Sequence, residues 1–273
     1  MDPYHLTDAE IDRLIEDDLP YGDLTTRLLA IGDQPGCISF TARDAQTVSG
    51  VEEAVRIFTR LGATVDFALA SGTEAPSGTL LFKAHGPAGA LHAGWKVSQI
   101  VMEWAGGIAT ATARIVAAAR SVGLAITVGV TRKSAPYTKK LALKAVLAGG
   151  GSVHRFGLSD SIMLFAEHRA FLPDDLPTAI ATLRARAPEQ SIAVEVSTLE
   201  EALAAASADI IQLEKFSPEQ LAELKACLPK RPDGRPLIAP AGGITAANAA
   251  AYAKAGADVL VTSAPFQARP TDI

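Results

Sequence analysis

Short apolar segments alternate with helical segments through the second half of the chain, from residue 124 to residue 261. Because neighbouring parallel strands need a helical crossover, about six such pairs predict a parallel sheet covered by helices. Six units in about 160 residues favour an α/β barrel, complete or incomplete, over an open doubly wound sheet. No Gly-x-Gly-x-x-Gly motif follows the first predicted strand, which disfavours a dinucleotide-binding fold. The predicted strands are residues 124–130, 161–165, 192–196, 210–213, 237–240 and 258–261, and the predicted helices between them are 138–147, 176–187, 199–206, 218–228 and 246–255.

The first part of the chain mixes helices and strands without this alternation. Such a mixture is typical of an α+β domain. We therefore predict a fold of the class α/β plus α+β, with an N-terminal α+β domain at residues 1–105 and an α/β-barrel domain at residues 106–273. The elements predicted in the first domain are helices at 8–16 and 51–61 and strands at 37–43, 64–69 and 79–85.

Composition and charge narrow the class of protein. Hydrophobic residues make up 48% of the 273 residues and charged residues 20%, which is enough apolar material for a sizeable core. The net charge of −5 argues against a nucleic-acid partner, because nucleic-acid binders usually carry a basic excess. Cys37 and Cys227 lie far apart without metal-ligand spacing, so we predict two buried free thiols.

The sequence predicts no membrane anchor and no secretion signal. The N-terminus, Met1–Tyr4, lacks the basic and apolar regions of a signal peptide. A long helix is predicted from Trp95 to Arg120, interrupted at Gly106 and Gly107. No apolar run reaches the roughly 18 residues that span a bilayer. We therefore expect a cytoplasmic protein without a membrane partner.

Three permanent cations and one titratable histidine lie on either side of a predicted helix. Arg132 and Lys133 follow a predicted strand, and His154 and Arg155 follow the glycine run Gly149-Gly150-Gly151. Cations beside glycines are typical of an anion site, and a guanidinium binds carboxylates and phosphates in bidentate fashion. On an acidic chain, this cluster indicates a small anionic ligand rather than a polymer.

Later strand ends also carry polar or glycine-rich residues, at the position where barrel enzymes keep their chemistry. Gly242 and Gly243 precede a predicted helix with Thr245 as its candidate N-cap, so their backbone N–H groups can bind a phosphate. Thr262 and Ser263 follow the last strand, which is the usual barrel position for the other half of a phosphate site.

Two glutamates, Glu195 and Glu214, are predicted at adjacent strand ends. Carboxylates in that position can hold Mg²⁺ or accept hydrogen bonds from ribose hydroxyls. Each feature also has an ordinary structural interpretation, since two glycines can form a turn and Lys215 can neutralise Glu214. Their occurrence at consecutive strand ends favours one shared site.

Several motifs resemble, in residues and in order, those of the quinolinate phosphoribosyltransferases, also called nicotinate-nucleotide pyrophosphorylases. The resemblance covers nearly the whole chain, and the glycine run with His154 and Arg155 is its most specific part. The matching motifs are Glu16-Asp17-Asp18, Gly22-Asp23-Leu24-Thr25, Gly107-Ile108-Ala109-Thr110, Thr131-Arg132-Lys133, Gly149-Gly150-Gly151 with His154-Arg155 and Gly157-Leu158, and Val194-Glu195-Val196.

The resemblance implies an N-terminal α+β sandwich domain, a C-terminal α/β barrel, and a homodimer or higher homo-oligomer whose sites are completed across the interface. The reaction it implies joins the nitrogen of quinolinate to C1 of phosphoribosyl pyrophosphate, releases pyrophosphate, and removes the 2-carboxylate as CO₂. Such a reaction requires stabilisation of the departing pyrophosphate and positioning of a dianionic acceptor.

The same resemblance, carried over position by position, implies three groups of site residues. The acceptor-binding residues are Lys96, Arg132, His154 and Arg155. The catalytic residues are Lys133, which contacts phosphoribosyl pyrophosphate, and Glu195 and Glu214, which serve the ribose and a Mg²⁺ cofactor. The phosphate-binding residues are Gly242 and Gly243, with Thr262 and Ser263 added from the strand-end pattern.

The chain departs from the family pattern mainly on the acceptor side. Losing cations there affects a dicarboxylate most, because an unpaired buried carboxylate costs several kcal/mol. The departures are similar to those of the ModD branch of the family, which is associated with molybdate transport. They are Trp95-Lys96 for Glu-Arg, Phe165 for a lysine that binds an acceptor carboxylate, Glu214-Lys215 for Asp-Asn, and Ala239-Pro240-Ala241-Gly242-Gly243 for Glu-Ser-Ser-Gly-Gly.

Three functions are compatible with these residues. The first is a ModD-like pyrophosphorylase that transfers phosphoribose from phosphoribosyl pyrophosphate to a small anionic, aromatic acid-like acceptor. The second is a true quinolinate phosphoribosyltransferase of NAD biosynthesis, with Lys96 acting in place of arginine. The third is a non-catalytic barrel that binds an oxyanion, such as molybdate or phosphate, in the same cationic pocket.

Overall fold

The computed structural model describes residues 4–123, 125–228 and 232–273. Two predictions fall partly outside the described residues. Met1–Pro3 belong to the segment predicted to lack a signal peptide, and Leu124 is the first residue of a predicted strand. The chain forms two compact units, and the segment Ser134–Gly150 belongs to the first of them. The predicted domain boundary after residue 105 therefore stays a prediction. Unit 1 comprises Met1–Ala113, Ser134–Gly150 and Pro265–Ile273, and unit 2 comprises Arg114–Lys133 and Gly151–Ala264.

Unit 1 contains a three-stranded antiparallel sheet of order β1-β5-β3 and a two-stranded antiparallel sheet of β2 and β4. Helices accompany both sheets, so the predicted α+β class is confirmed. The short elements α2, β2 and β4 were not predicted. The elements are α1 (Asp8–Asp18), α2 (Leu24–Leu28), β1 (Pro35–Thr41), β2 (Gln46–Thr47), α3 (Val51–Arg60), β3 (Thr64–Ala68), β4 (Glu74–Ala75), β5 (Leu80–Pro87), α4 (Ala88–Arg120, shared with unit 2) and α5 (Lys139–Ala148).

Local sequence explains where the first helix begins and what the sheet packs against. Thr7 caps α1, because its hydroxyl accepts from the Glu10 N–H while the Glu10 carboxylate accepts from the Thr7 N–H.

The three-stranded sheet packs its buried face on α3 through three aromatic rings. The rings of Phe40 and Phe82 lie 5.5 Å apart, and those of Phe58 and Phe82 lie 4.9 Å apart.

The long helix α4 is continuous through Gly106 and Gly107, so the predicted interruption there is wrong. These glycines allow the segment near the end of the chain to lie against the helix. A Cβ atom at Gly106 would lie 2.6 Å from the Thr271 hydroxyl, and one at Gly107 would collide with the carbonyl oxygen of Arg269. The glycine pair therefore reflects close packing rather than a break in the helix.

The prediction that no apolar run reaches membrane-spanning length is also corrected. By length and composition, an 18-residue window of α4 is apolar enough to cross a bilayer. The protein buries 61% of that window. Core helices of soluble proteins have the same length and composition, and the burial of α4 fits that class.

Unit 2 contains a seven-stranded parallel sheet of order β7-β6-β12-β11-β10-β9-β8. Strands β7 and β8 stand at its two edges, so the predicted incomplete α/β barrel is confirmed. The elements are β6 (Thr127–Val130), β7 (Ser152–Val153), β8 (Ile162–Leu164), α6 (Ala166–Arg169), α7 (Leu176–Arg186), β9 (Ile192–Val196), α8 (Leu199–Ala204), β10 (Ile210–Glu214), α9 (Pro218–Cys227), β11 (Leu237–Ala241), α10 (Ala249–Lys254), β12 (Val259–Thr262) and a 3₁₀ helix (Ala264–Gln267).

The core of unit 2 lies between this sheet and its helices. Apolar side chains of the central strands, such as Ile192, Leu213 and Ile238, are fully buried against Leu221 and Leu224 of α9. Central strands of a parallel sheet are covered on both faces, which is why they appear in the sequence as nearly continuous apolar runs.

Both cysteines are free, as predicted, but neither is buried. Cys37 lies on β1, which is an edge strand of the three-stranded sheet. Cys227 is the last residue of α9. An edge strand and a helix end both leave side chains accessible, so the predicted burial of these thiols is wrong.

An ion pair with a buried carboxylate joins α5 to α3 within unit 1. The Lys144 ammonium lies 2.7 Å from a carboxylate oxygen of Glu53, whose side chain is only 1% exposed, and 3.1 Å from one of Glu52. We expect Lys144→Met to lower the free energy of unfolding by about 3 kcal/mol, because it leaves the Glu53 carboxylate buried without its cation. Chemical denaturation followed by circular dichroism measures this loss.

The matched control for this substitution is Lys140→Met on the same helix. Lys140 pairs with Glu10 at 2.9 Å, but both side chains are more than one third exposed. An exposed pair contributes at most about 1 kcal/mol. Equal losses in the two variants would contradict a special role for the buried pair.

Candidate active site

The carboxyl ends of the strands in unit 2 carry all the predicted site residues except Lys96. Because the strands are parallel, these ends meet at one edge of the sheet. The positions of these residues at the strand ends agree with the sequence pattern, and their roles in a site stay predictions. The residues are Arg132 and Lys133 after β6, His154 and Arg155 after β7, Glu195 in β9, Glu214 at the end of β10, Gly242 and Gly243 after β11, and Thr262 and Ser263 at the end of β12.

Lys96 lies in unit 1, on α4, where its side chain is exposed. Its ammonium donates a hydrogen bond of 2.8 Å to the side-chain oxygen Oε1 of Gln99 and lies 5.1 Å from the ring centroid of Trp95. Within unit 1, therefore, the Lys96 ammonium is held by its own helix. Its predicted contact with an acceptor stays a prediction.

Arg155 is a buried cation with unused hydrogen-bonding capacity. Its side chain is 8% exposed, and one guanidinium nitrogen donates to the carbonyl oxygens of Ser161 at 2.9 Å and Leu158 at 3.3 Å. The other two nitrogens, Nε and Nη1, are buried without a hydrogen-bond partner among the described residues. Buried polar groups are nearly always hydrogen-bonded, so these two donors indicate an anionic ligand.

The charge of Arg132 lies close to this guanidinium. Burial lowers the pKa of Arg155, and the positive charge of Arg132 lowers it further. Asp160 acts in the opposite direction and also shapes the loop, because its carboxylate accepts the N–H groups of Phe156 at 2.9 Å and Gly157 at 2.8 Å. Arg155, in a loop fixed by its own hydrogen bonds, and the nearby charge of Arg132, which follows β6, are together suited to a carboxylate or a phosphate.

His154 is held at the end of β7 by the neighbouring strand β6. Its backbone N–H donates to the Val130 carbonyl oxygen at 3.2 Å. A Cβ atom at Gly129 would lie 3.1 Å from the His154 Cβ, so this glycine provides space for the side chain. Burial lowers the pKa of His154, a hydrogen bond with Gln212 opposes that effect, and the charge of Arg155 adds to it.

Gln212 is a buried polar residue at this edge of the sheet that sequence reasoning missed. It lies opposite Glu195 in the register of β9 and β10, is 6% exposed, and donates a 2.5 Å hydrogen bond from Nε2 to the Glu195 carboxylate. The available signal was a single amide side chain within the apolar run of β10, between Ile211 and Leu213.

The carboxylate of Glu195 lies within the influence of two other carboxylates at this edge of the sheet. Burial raises the pKa of Glu195, and the negative charges of Glu214 and Glu167 raise it further. The hydrogen bond from Gln212 and the charge of Lys133 act in the opposite direction. Glu167 is a second residue that the sequence prediction did not include. The negative charges of Glu214 and Glu167 near Glu195 make a nearby cation favourable at this edge.

Glu195 and Glu214 supply carboxylate oxygens, which are donors that Mg²⁺ takes, and the Mg²⁺ cofactor stays a prediction. Among the described residues, no group of three or more His, Cys, Asp or Glu side chains is arranged to hold a metal ion. Mg²⁺ commonly binds through one or two carboxylates together with substrate phosphates and water. Lys215 neutralises Glu214 only weakly, because its ammonium is 3.8 Å away on an 80% exposed side chain.

The glycine loop after β11 has a left-handed backbone closed by Asn248. Gly242 and Gly243 have φ angles of 84° and 79°. The Asn248 side chain accepts from the Thr245 N–H at 2.8 Å and donates to the Gly243 carbonyl at 2.9 Å. Helix α10 begins at Ala249 with Asn248 at its N-cap position. Thr245 is therefore not the N-cap, because Asn248 organises the loop in its place.

Thr262 uses its hydroxyl within the protein. The side chain is 3% exposed, and the hydroxyl donates to the Ile244 carbonyl at 2.7 Å and accepts from the Ala264 N–H at 3.0 Å. It therefore organises the loops that follow β11 and β12. The predicted phosphate contacts of Thr262 and of the half-buried Ser263 stay predictions.

Gly242 also lies directly against the acidic group. A Cβ atom there would lie 2.9 Å from the Lys215 Cγ and 3.2 Å from a carboxylate oxygen of Glu214. We expect Gly242→Ala to reduce turnover about tenfold or more, since it displaces Glu214 besides paying a backbone cost of about 1–2 kcal/mol. Steady-state pyrophosphate release measures the effect.

Gly234→Ala is the matched control for this substitution. Gly234 also has a positive φ, 78°, but a Cβ atom there would contact nothing within 4 Å. Both variants pay the same backbone cost, and only Gly242→Ala displaces the carboxylate. The explanation fails if the two variants lose activity equally.

Family sequence models match almost the whole chain. The model described as quinolinate phosphoribosyl transferase, N-terminal domain, matches residues 23–106, and the model of the C-terminal domain matches residues 108–273. The chain belongs to the quinolinate phosphoribosyltransferase family. It is therefore a phosphoribosyltransferase-type enzyme, as the motifs predicted.

Relatives of this quinolinate phosphoribosyltransferase-family protein place it near the ModD branch. The protein named pyrophosphorylase ModD in Rhodobacter capsulatus is 52% identical over 254 residues, which cover 92% of this chain and 97% of the relative. The ModD protein of Escherichia coli O6:H1 is 43% identical over 272 residues, which cover 98% and 95%. The crystal structure of NadC from Streptococcus pyogenes matches with a TM-score of 0.88 at 28% identity, covering 98% of this chain and 96% of the other. These matches confirm the predicted fold and the ModD-like assignment.

Proposed function

We propose that this ModD-like enzyme transfers phosphoribose from phosphoribosyl pyrophosphate to a small aromatic acid and releases pyrophosphate. One observation carries the proposal. A buried arginine with two unpaired nitrogens, Arg155, stands next to His154, whose pKa responds to Gln212, and Gln212 donates a hydrogen bond to Glu195. An anion site and a cation site are therefore neighbours, as this reaction requires.

The residues on the cationic side of the site bind the acceptor. Arg132 and Arg155 hold the acceptor's carboxylate, because the fork of a buried guanidinium binds carboxylate in bidentate geometry. Holding both reactants in one site lowers the barrier by removing most of the entropy cost of bringing them together. Gly242 and Gly243 leave backbone N–H groups beside Glu214 for a phosphate of the donor.

The acidic side orients the ribose and its phosphates. Glu195 and Glu214 would hold Mg²⁺ and accept hydrogen bonds from ribose hydroxyls, with Lys133 nearby to contact the pyrophosphate. When bound, Mg²⁺ neutralises the charge that develops on the departing pyrophosphate. The repulsion between the two carboxylates keeps their affinity for such a cation high.

The acceptor proposed here is not quinolinate. Phe165 stands where the family resemblance places a lysine, and its ring stacks on His168 at a centroid distance of 5.8 Å. The His168 ring also accepts the Phe165 backbone N–H at 3.1 Å, which fixes this corner of the site. A second carboxylate on the acceptor would therefore meet an aromatic ring instead of a cation. An acceptor with one carboxylate suits these residues better.

Pyrophosphate release with a panel of acceptors tests the proposal. The enzyme is incubated with phosphoribosyl pyrophosphate, Mg²⁺ and, one at a time, quinolinate, nicotinate, picolinate and related aromatic acids that carry a ring nitrogen. We expect release with at least one monocarboxylate and little or none with quinolinate. Rapid formation of nicotinate mononucleotide and CO₂ from quinolinate would instead assign the enzyme to NAD biosynthesis.

The same panel distinguishes catalysis from simple anion binding. If no acceptor yields pyrophosphate while calorimetry shows tight binding of molybdate or phosphate, the protein is an oxyanion binder and the proposal is wrong. The Arg155→Ala variant serves as the binding control, because both functions use that guanidinium.

We further propose that the enzyme acts in the cytoplasm as a homodimer or higher homo-oligomer, in a pathway linked to molybdenum. The family to which the chain belongs supports a shared site between subunits, and the association of the ModD branch with molybdate transport supports the pathway. Lys96, exposed on α4, is the residue proposed to complete a neighbouring subunit's site. Sedimentation equilibrium gives the oligomeric state, and a purely monomeric enzyme with full activity would contradict the shared site.

A further inference from the structure

Lys215 has a left-handed backbone directly after β10. Its φ angle is 58°, and among the described residues of unit 2 it is the one residue other than glycine with a positive φ. Residues with a Cβ atom are uncommon in this conformation, which glycine adopts without strain. The Lys215 N–H donates to the Ala241 carbonyl oxygen at 2.9 Å, so the end of β11 anchors the strained backbone. Strain of this kind at a strand end indicates a functional residue.

The aliphatic stem of Lys215 lies against the glycine loop that follows β11. A Cβ atom at Gly242 would lie 2.9 Å from the Lys215 Cγ, so the stem occupies space that this glycine leaves open. The same Cβ atom would lie 3.2 Å from Oε1 of Glu214, and the Lys215 ammonium lies 3.8 Å from that oxygen. Both the stem and the ammonium are therefore beside the loop whose backbone N–H groups are proposed to bind a phosphate.

The Lys215 ammonium is not committed to Glu214. A separation of 3.8 Å is too long for a hydrogen bond, and the lysine side chain is 80% exposed. A lysine that neutralises a carboxylate approaches it more closely, as Lys144 does with Glu53 at 2.7 Å. The Lys215 ammonium therefore keeps donors for a ligand, and a lysine ammonium is a common binder of phosphate.

We propose that Lys215 binds a phosphate group of the donor together with the loop of Gly242 and Gly243. The inference rests on the proposed function in taking the donor to be phosphoribosyl pyrophosphate. The 5′-phosphate and the pyrophosphate of that donor share the chemistry that an ammonium and backbone N–H groups recognise. The anchored, left-handed backbone holds the stem over the loop, so less side-chain freedom is lost when the phosphate binds.

Calorimetry without any acceptor tests the proposal and shows which phosphate is bound. Inorganic pyrophosphate and ribose 5-phosphate are titrated separately, in the presence of Mg²⁺, into the wild type and into Lys215→Met. This variant keeps an unbranched stem and removes the charge. We expect one of the two anions to bind about tenfold more weakly to Lys215→Met, because a charge-assisted hydrogen bond is lost. Unchanged affinity for both anions, or a wild type that binds neither, would overturn the proposal.

Lys215→Asn separates binding from structure. Asparagine also lacks the ammonium, but it tolerates the left-handed conformation better than lysine does. We expect this variant to bind the anion as weakly as Lys215→Met does, while its Tm equals or exceeds that of the wild type. A lower Tm with normal anion binding would make Lys215 a structural residue and contradict the proposal.

The matched control is Lys254→Met, which removes an exposed lysine at the last residue of α10. Its affinity for both anions should stay within about twofold of the wild type, and an equal loss in the two methionine variants would reduce the effect to general surface charge and refute a site at Lys215. Since these titrations contain no acceptor, this inference and the proposed function can fail separately. Failure of the proposed function would appear as the absence of pyrophosphate release from the wild type with every acceptor.

Discussion

Replacing Arg155 by alanine is expected to lower kcat/KM for pyrophosphate release by about 1000-fold or more. The guanidinium is buried and is the strongest candidate for the acceptor's carboxylate. Removing one partner of a desolvated, hydrogen-bonded charge pair costs roughly 2–5 kcal/mol or more, and about 4 kcal/mol corresponds to 1000-fold. Steady-state kinetics with the active acceptor, together with calorimetry of acceptor binding, measure the loss.

Two further variants show whether charge or geometry carries this effect. Arg155→Lys keeps the positive charge but loses the planar fork, so it should recover only part of the activity. Arg186→Ala removes an exposed arginine at the end of α7 and should behave like the wild type. If Arg155→Ala stays within tenfold of the wild type, the acceptor does not bind at this guanidinium.

The double variant Glu195→Gln, Glu214→Gln is expected to lose about 1000-fold or more in kcat/KM as well. Glutamine keeps the size of both side chains but removes the two charges that would bind Mg²⁺, and charge stabilisation of this kind contributes several kcal/mol. The apparent Mg²⁺ requirement should rise together with the loss. A titration of activity against Mg²⁺ concentration measures both quantities.

Glu167→Gln is the control for removing negative charge from the same edge. Glu167 contributes to the raised pKa of Glu195, but its side chain is exposed and has no proposed ligand contact. Its loss should change kcat/KM by less than about tenfold, since exposed charges act weakly through water. If the double variant and the control behave alike, the two strand-end glutamates do not hold the metal.

The acidity of Glu195 predicts how activity depends on pH. Its pKa is raised by burial and then by Glu214, so its ionised form is lost at a higher pH than that of an ordinary glutamate. Activity that needs the carboxylate should therefore fall as pH decreases through that raised pKa. The acid limb of the kcat/KM profile measures it, and Glu167→Gln should move that limb to lower pH.

Much of the fold could be predicted because it depends on local patterns. The strands of unit 2 appear as apolar runs since both faces of the sheet are covered, and the helices between them follow from their periodicity. Strand β7 was missed because it has only two residues and follows a glycine run. The glycine pair in α4 was misinterpreted because the residue that packs against it, Thr271, is far away in the sequence.

The candidate site was predictable where each residue occupies a strand end. Arg132, His154 and Glu195 are examples, because the position alone places them at the same edge of the sheet. Gln212 could not be recognised in this way. Its importance depends on which residue lies opposite it in the neighbouring strand, and sequence does not give that register. Asn248 was missed for a similar reason. Its side chain donates a hydrogen bond to the Gly243 carbonyl oxygen only because the loop turns back on itself, and the sequence does not show that turn.

The two edge strands of the parallel sheet are also its shortest strands. β7 contains two residues and β8 three, whereas every other strand of this sheet has at least four. An unclosed barrel presents backbone N–H and C=O groups at its edges, where another chain can add as an extra strand. Edges this short leave few hydrogen bonds for such pairing. The barrel can therefore stay open without becoming a template for aggregation.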